Sequence, residues 1–74
     1  MKVRYAIIIE HDEETGSYGA YAPDLPGCGA AADSLDEVLQ LIREVVQLHV
    51  EGLRDDGLPI PEPSTLVEYV ETSA

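Results

Sequence analysis

One long amphipathic segment, bounded by Ser34 and Gly57, constrains this chain more than any other feature. Ser34-Leu35-Asp36-Glu37 has the form of a capping box, a serine N-cap followed three residues later by a glutamate able to return to the serine amide. A helix is predicted to begin there. Leu35, Val38, Leu39, Ile42, Val45, Val46, His49 and Leu53 then recur at helical spacing, giving one apolar stripe about five turns long. Such a stripe has to face a sheet. Leu41 and Leu48 lie to one side of it, with Val45 adjoining both, so the apolar face is wider than one sheet needs and these three residues are the candidate subunit contact. Gly57 is placed to end the helix at the C′ position. Asp55 and Asp56 stand at the negative end of the helix dipole, where fraying is expected.

The residues before the helix supply strands. Residues 2–10 are rich in β-branched and aromatic types, with Val3, Tyr5, Ile7 and Ile9 on one face and Ala6 and Ile8 on the other. Apolar residues on both faces predict a central strand. Residues 11–17 are polar and contain Gly16, the chemistry of a hairpin loop. A short second strand is predicted over 18–22, ended or placed at an edge by Pro23. Asp24-Leu25-Pro26-Gly27 is a turn by composition, and residues 28–32 form a third short strand whose small side chains allow close approach of the helix or of a second subunit. Beyond the helix, Pro59, Pro61 and Pro63 force an extended crossing, and residues 66–71 are predicted as a last strand. The expected order is β-β-β-α-β, an α+β fold in one domain spanning 1–74.

With 74 residues the core is thin, since a chain this short hides only about 60% of the surface its unfolded form exposes. Self-association, as a dimer or a tetramer, is therefore expected. Cys28 is the single cysteine, which removes a disulfide framework and fits a reducing, cytoplasmic compartment. The run Ala6-Ile7-Ile8-Ile9 falls far short of the roughly 20 residues that cross a bilayer, so no membrane role is expected. Fifteen Asp and Glu against four Lys and Arg give a net charge of −11. Only Lys2, Arg4, Arg43 and Arg54 are available to neutralise phosphates, which argues against direct nucleic-acid binding. Acidity alone keeps a small domain soluble; it equally suits a basic protein partner.

Catalytic chemistry is poorly supported. His11 stands with Asp12, Glu13 and Glu14 in a loop without the geometry of an ion cage, and His49 lies on the apolar helix face among Val45, Val46 and Leu53. Cys28 has no nearby second cysteine and no basic activator, the setting of a small buried hydrophobe. Glu10, Asp24, Asp33 and Asp36 could in principle gather at strand ends like the acids of a two-metal nuclease, but so acidic a chain produces such constellations by chance. No metal, no cofactor and no enzymatic activity are expected.

Three segments, in order, carry a resemblance. Pro23-Asp24-Leu25-Pro26-Gly27-Cys28 after the second strand, Asp33-Ser34-Leu35-Asp36-Glu37-Val38 at the helix start, and Gly57-Leu58-Pro59-Ile60-Pro61-Glu62-Pro63-Ser64 after the helix are together similar to the HicB family of antitoxins. The resemblance implies a reduced, catalytically degenerate RNase H-like sheet with one long helix packed on it. It also implies a partner, a small basic RNA-cleaving toxin of the HicA type whose active surface and catalytic histidine the antitoxin covers. Family members often add a helix-turn-helix or ribbon-helix-helix domain that represses their operon; none follows by Ala74, so DNA binding is not expected here. The strip Gly29-Ala30-Ala31-Ala32 is plainer than the family's usual polar sequence.

The partner-binding residues expected on this basis are Asp12, Glu13, Glu14, Asp24 and Asp33. Pro23, Pro26, Gly27, Cys28, Ser34, Glu37 and Gly57 are expected to be architectural, and Asp24 and Asp33 have a competing explanation as residues that only shape the turn and precede the cap. Two other functions stay open at this point: an orphan oligomeric scaffold, and a metal-dependent nuclease relic.

Overall fold

A computed structural model describes residues 2–74 of the chain. The elements are β1 (Ile8–His11), β2 (Tyr18–Tyr21), β3 (Gly29–Ala32) and α1 (Leu35–Asp55), so three antiparallel strands precede one long helix in an α+β fold.

The helix begins where its cap places it. The Ser34 hydroxyl accepts the Glu37 amide at 3.2 Å and donates to Glu37 Oε1 at 3.1 Å. The glutamate thus returns to the serine side chain, not to the serine amide as a capping box predicts. At the other end Asp56 is the C-cap, and Gly57 takes φ +69°, a left-handed conformation that a side chain disfavours. Leu58 N–H reaches Leu53 C=O at 2.9 Å and Gly57 N–H reaches Arg54 C=O at 3.1 Å, the paired bonds of a Schellman motif. These bonds satisfy carbonyls that the two aspartates would otherwise leave facing their own charge.

The sheet order is β1-β2-β3, with Ile9 opposite Ala20 and Ala20 opposite Ala30. Side-chain alternation puts Ile9, Ala20 and Ala30 in one row and His11, Tyr18 and Ala32 in the next, both on the helix side. α1 lies over β3 and β2. Ala20, Val38 and Ile42 are buried there, with Ala30 and Ala32 packed beneath the helix, so half of the small-residue strip is small because a helix crosses it. On the opposite sheet face Tyr21 and Ala31 are exposed.

A second buried cluster lies past the sheet. Leu25 is fully buried between Ala22 and Cys28, and Tyr5, Ile7, Val45, Val46 and Val50 pack around them. The turn that carries Leu25 is closed by Ala22 N–H to Cys28 C=O at 3.1 Å, by Leu25 N–H to Ala22 C=O at 3.1 Å and by Cys28 N–H to Leu25 C=O at 3.0 Å, and Gly27 turns it at φ +80°. Leu25 and Cys28 thus enter the core, while Pro23, Pro26 and Gly27 stand exposed on the turn that carries them.

Two expectations about the sheet are corrected. The first strand is an edge, with β2 in the centre, and it is shorter than residues 2–10. Continuing the observed register would set Pro23, which has no N–H, opposite Ala6. The fourth strand does not form among the described residues: the chain after Gly57 is extended but unpaired in any ladder. It is tied down at Tyr5, whose hydroxyl donates to the Pro61 carbonyl, and at Asp24. Beyond that it projects, leaving Leu66, Tyr69 and Val70 about nine-tenths exposed. The radius of gyration, 14.1 Å, accordingly exceeds the roughly 11 Å of a compact chain of this length.

Candidate functional site

Register decides which of the acidic residues come together. His11 pairs with Tyr18 and Tyr18 with Ala32, so the β1–β2 loop and the residue after β3 lie at one end of the sheet. Asp12, Glu13 and Glu14 in that loop and Asp33 after β3 share this end, and Asp36 and Glu37 add to it in the first helical turn. All six are exposed. None of the four Lys and Arg residues lies in these segments. The acids at the helix start also sit favourably against its dipole, so they are held there without destabilising the fold.

The loop that carries the first three acids is ordered by one of them. Asp12 N–H bonds to Ser17 C=O at 2.9 Å, Gly16 N–H returns to Asp12 C=O at 2.7 Å, and the Asp12 carboxylate accepts the Glu14 amide at 2.9 Å. Asp12 is therefore both a charge and a brace, while Glu13 and Glu14 extend freely from a fixed loop. His11 stacks on Tyr18 with ring centroids 4.3 Å apart, beside the loop.

Asp24 is elsewhere. It lies in the β2–β3 turn at the opposite end of the sheet, and both its oxygens are occupied by the chain after the helix. Oδ2 accepts the amides of Ser64 at 2.9 Å and Thr65 at 3.1 Å; Oδ1 accepts the hydroxyls of Thr65 at 2.7 Å and Ser64 at 3.1 Å. The Ser64 amide, followed by the Thr65 hydroxyl and amide, holds this carboxyl at about 2, well below its ordinary 3.8. The turn motif and the proline-rich motif, forty residues apart, are thus two halves of one clamp. Ser64 and Thr65 carry no signal of that role, because a hydroxyl pair after a proline crossing has many uses and its acceptor is distant in sequence.

The same geography separates the acids of a possible nuclease centre. Asp24 is at one end of the sheet, Asp33 and Asp36 at the other, and Glu10 pairs with Gly19 on the face away from the helix. Among the described residues no group of three or more His, Cys, Asp or Glu side chains is placed to hold a metal ion. Cys28 is buried, and desolvation pushes its thiol pKa up, away from nucleophile chemistry. Of the three candidate contact residues, Val45 turns inward onto the Leu25 cluster, while Leu41 and Leu48 stand exposed on the helix. No helix among the described residues is long and apolar enough to cross a membrane.

Comparison with known proteins places these features in a group. Residues 5–74 match the family described as HicB-like antitoxin of bacterial toxin-antitoxin system. A UPF0150 protein of Archaeoglobus fulgidus is 43% identical over 49 residues, covering 66% of this chain and 70% of the relative. A UPF0150 protein of Synechocystis is 31% identical over 64 residues, 86% of this chain and 80% of the relative. A 14.9 kDa protein from the rep-hol intergenic region of Haemophilus phage HP1 is 32% identical over 66 residues, which are 89% of this chain and 48% of the phage protein. The chain spans about half the length of that phage relative.

Proposed function

The chain belongs to the HicB-like antitoxin family, and from that premise we propose that it acts in the cytoplasm as a non-catalytic inhibitor of a small basic RNA-cleaving toxin of the HicA type. The acidic sheet end is the contact surface. Its residues Asp12, Glu13, Glu14 and Asp33 compete with RNA phosphates for the toxin's cationic face, and the body of the antitoxin covers the toxin's active surface. One observation carries this reading: register gathers six exposed acids at one end of the molecule, in segments that contain no Lys or Arg. Complementary fields of this kind raise association rates and exclude like-charged partners. Asp24, expected among the partner-binding residues, serves the clamp with Ser64 and Thr65 and is not part of this surface.

The test is a titration of a HicA-type toxin with wild-type chain and with a Glu13→Lys, Glu14→Lys, Asp33→Lys triple variant at several salt concentrations. The variant should bind on the order of tenfold or more weakly and lose much of its salt dependence, with circular dichroism unchanged. Equal affinity and equal salt dependence would exclude the acidic end as the contact.

A further inference from the structure

The helix packs on one face of the sheet, and the other face stays open, with Glu10, Tyr21, Gly29 and Ala31 exposed on it. Register gives that outer face two rows, Ile8, Tyr21 and Gly29 in one and Glu10, Gly19 and Ala31 in the next. An antiparallel sheet face turned to water ordinarily carries polar side chains. Here Glu10 holds the only charge, and no Ser, Thr, Asn, Gln, Lys or Arg stands among the six. The water-facing side of α1 is built quite differently, from Asp36, Glu37, Gln40, Arg43, Glu44 and Gln47. Gly29 and Ala31 are moreover the half of the small-residue strip that no helix crosses. We propose that this outer face, anchored by Tyr21, is the apolar half of the surface that seats the basic toxin, an inference that rests on the antitoxin reading above and adds to it the part of the contact that charge does not supply.

The acidic end and the outer face are one surface. Asp12 N–H to Ser17 C=O, at 2.9 Å, carries the register one pair past His11 and Tyr18, so Asp12, Ser17 and Asp33 form the next row on the same side of the sheet. From Asp12 back to Ile8 is about 14 Å of extended chain. Past Tyr21 the face runs into a shallow groove of about 340 Å³ whose walls include Pro23, Pro26 and Gly29. Acids therefore border an apolar bed at one end, and a groove for an apolar side chain lies at the other.

Charge selects the occupant. Residues 5–42 contain no Lys or Arg, so nothing on this face attracts an acidic partner, and a second copy of net charge −11 would bring the same acids against it. A basic protein with an apolar patch among its cations is the complement, since interface centres are poor in charge while their rims are polar. Tyr21 suits the centre: it stands on the middle strand, is 45% exposed, and tyrosine is among the residues on which binding energy concentrates. A Cβ at Gly29 would stand 3.2 Å from the Ala20 carbonyl oxygen and 3.8 Å from Tyr21 Cβ, so the glycine keeps the strip beside the tyrosine clear.

The experiment titrates a HicA-type toxin with full-length Tyr21→Ser, Ala31→Glu and Leu48→Glu variants over the same salt series. Tyr21→Ser should bind at least about tenfold more weakly while keeping the wild-type salt dependence, the converse of the lysine triple variant. Ala31→Glu adds an acid, which charge alone would turn into tighter binding; burial of a carboxylate in the contact makes it several-fold weaker. Leu48→Glu, on the exposed side of α1, should bind as wild type. Hydroxyl-radical footprinting of the wild-type chain needs no variant: oxidation of Tyr21 should fall in the complex and stay constant in the free chain as its concentration rises. Wild-type affinity in both sheet-face variants, or Tyr21 equally oxidised in the complex, would overturn the proposal, and the acidic end would stand without it if the lysine variant still bound weakly. A Leu48→Glu loss as large as that of Tyr21→Ser would move the contact to the helix, and Tyr21 shielded in the concentrated free chain would give the face to a second copy; either result overturns the proposal. Failure of the wild-type chain to bind the toxin would remove the antitoxin reading and this inference together.

Discussion

Replacing Leu25 with alanine tests whether the signature turn is core or decoration. Leu25 is fully buried, and its neighbours Ala22 and Cys28 are held by turn hydrogen bonds that limit collapse around a smaller side chain. The substitution removes three buried carbons, worth about 0.8 kcal/mol each, and leaves part of the vacated volume unfilled, so the expected loss is about 3–4 kcal/mol. A 74-residue chain has roughly 4–11 kcal/mol to lose. Urea denaturation at matched protein concentration should therefore show the midpoint falling by about 3 M, taking a slope of about 1 kcal/mol/M. Leu48→Ala is the control: Leu48 is 67% exposed, and its replacement should change stability by no more than about 0.5 kcal/mol. A Leu25→Ala loss under about 1 kcal/mol would refute the reasoning, because it would place residues 23–27 outside the cooperative unit.

Two further predictions concern the ends of the helix and the clamp. Gly57→Ala should destabilise the protein by about 1–2 kcal/mol, because φ +69° is strained for a side chain, whereas Gly52→Ala, inside α1 with open space at its Cβ, should stabilise it by about 0.5–1 kcal/mol; thermal melts of both variants check the pair. Asp24 has a folded-state pKa of about 2 against an ordinary 3.8, so its contribution is fully present above pH about 4 and is lost as pH falls through about 2. The stability gap between wild type and Asp24→Asn should accordingly narrow over that window, and a constant gap would show that the carboxylate charge is not what holds Ser64 and Thr65.

What was legible in the sequence was local. Ser34, the apolar stripe and Gly57 announce the helix because caps and periodicity act within a few residues, and the structure starts and stops it there. Strand positions were legible too, since Pro23 and the polar residues 11–17 mark their limits. Strand neighbours were not. Ala6 to Ile9 have the composition of a central strand, yet centrality depends on whether another segment arrives alongside, and no residue near β1 encodes that. The same distinction runs through the site. Asp12, Glu13, Glu14 and Asp33 lie on one surface only because His11, Tyr18 and Ala32 align across three strands. Asp24 looked like a fifth member because a carboxylate beside a turn resembles any other until its donors, forty residues onward, are seen.

The two ties that hold the chain after the helix have a consequence for the order of folding. The contacts of the β1–β2 hairpin close loops of seven residues, from His11 to Tyr18, whereas Tyr5 and Pro61 are 56 residues apart. Each doubling of a loop costs about 0.6 kcal/mol of closure entropy, so three doublings make the Tyr5–Pro61 contact about 2 kcal/mol dearer to form from an open chain. Once the hairpins and helix have docked, most of that separation is already bridged. The Tyr5–Pro61 and Asp24–Thr65 ties thus form late and open first, so the path from Gly57 to Thr65 detaches as a unit while the sheet and helix stay folded.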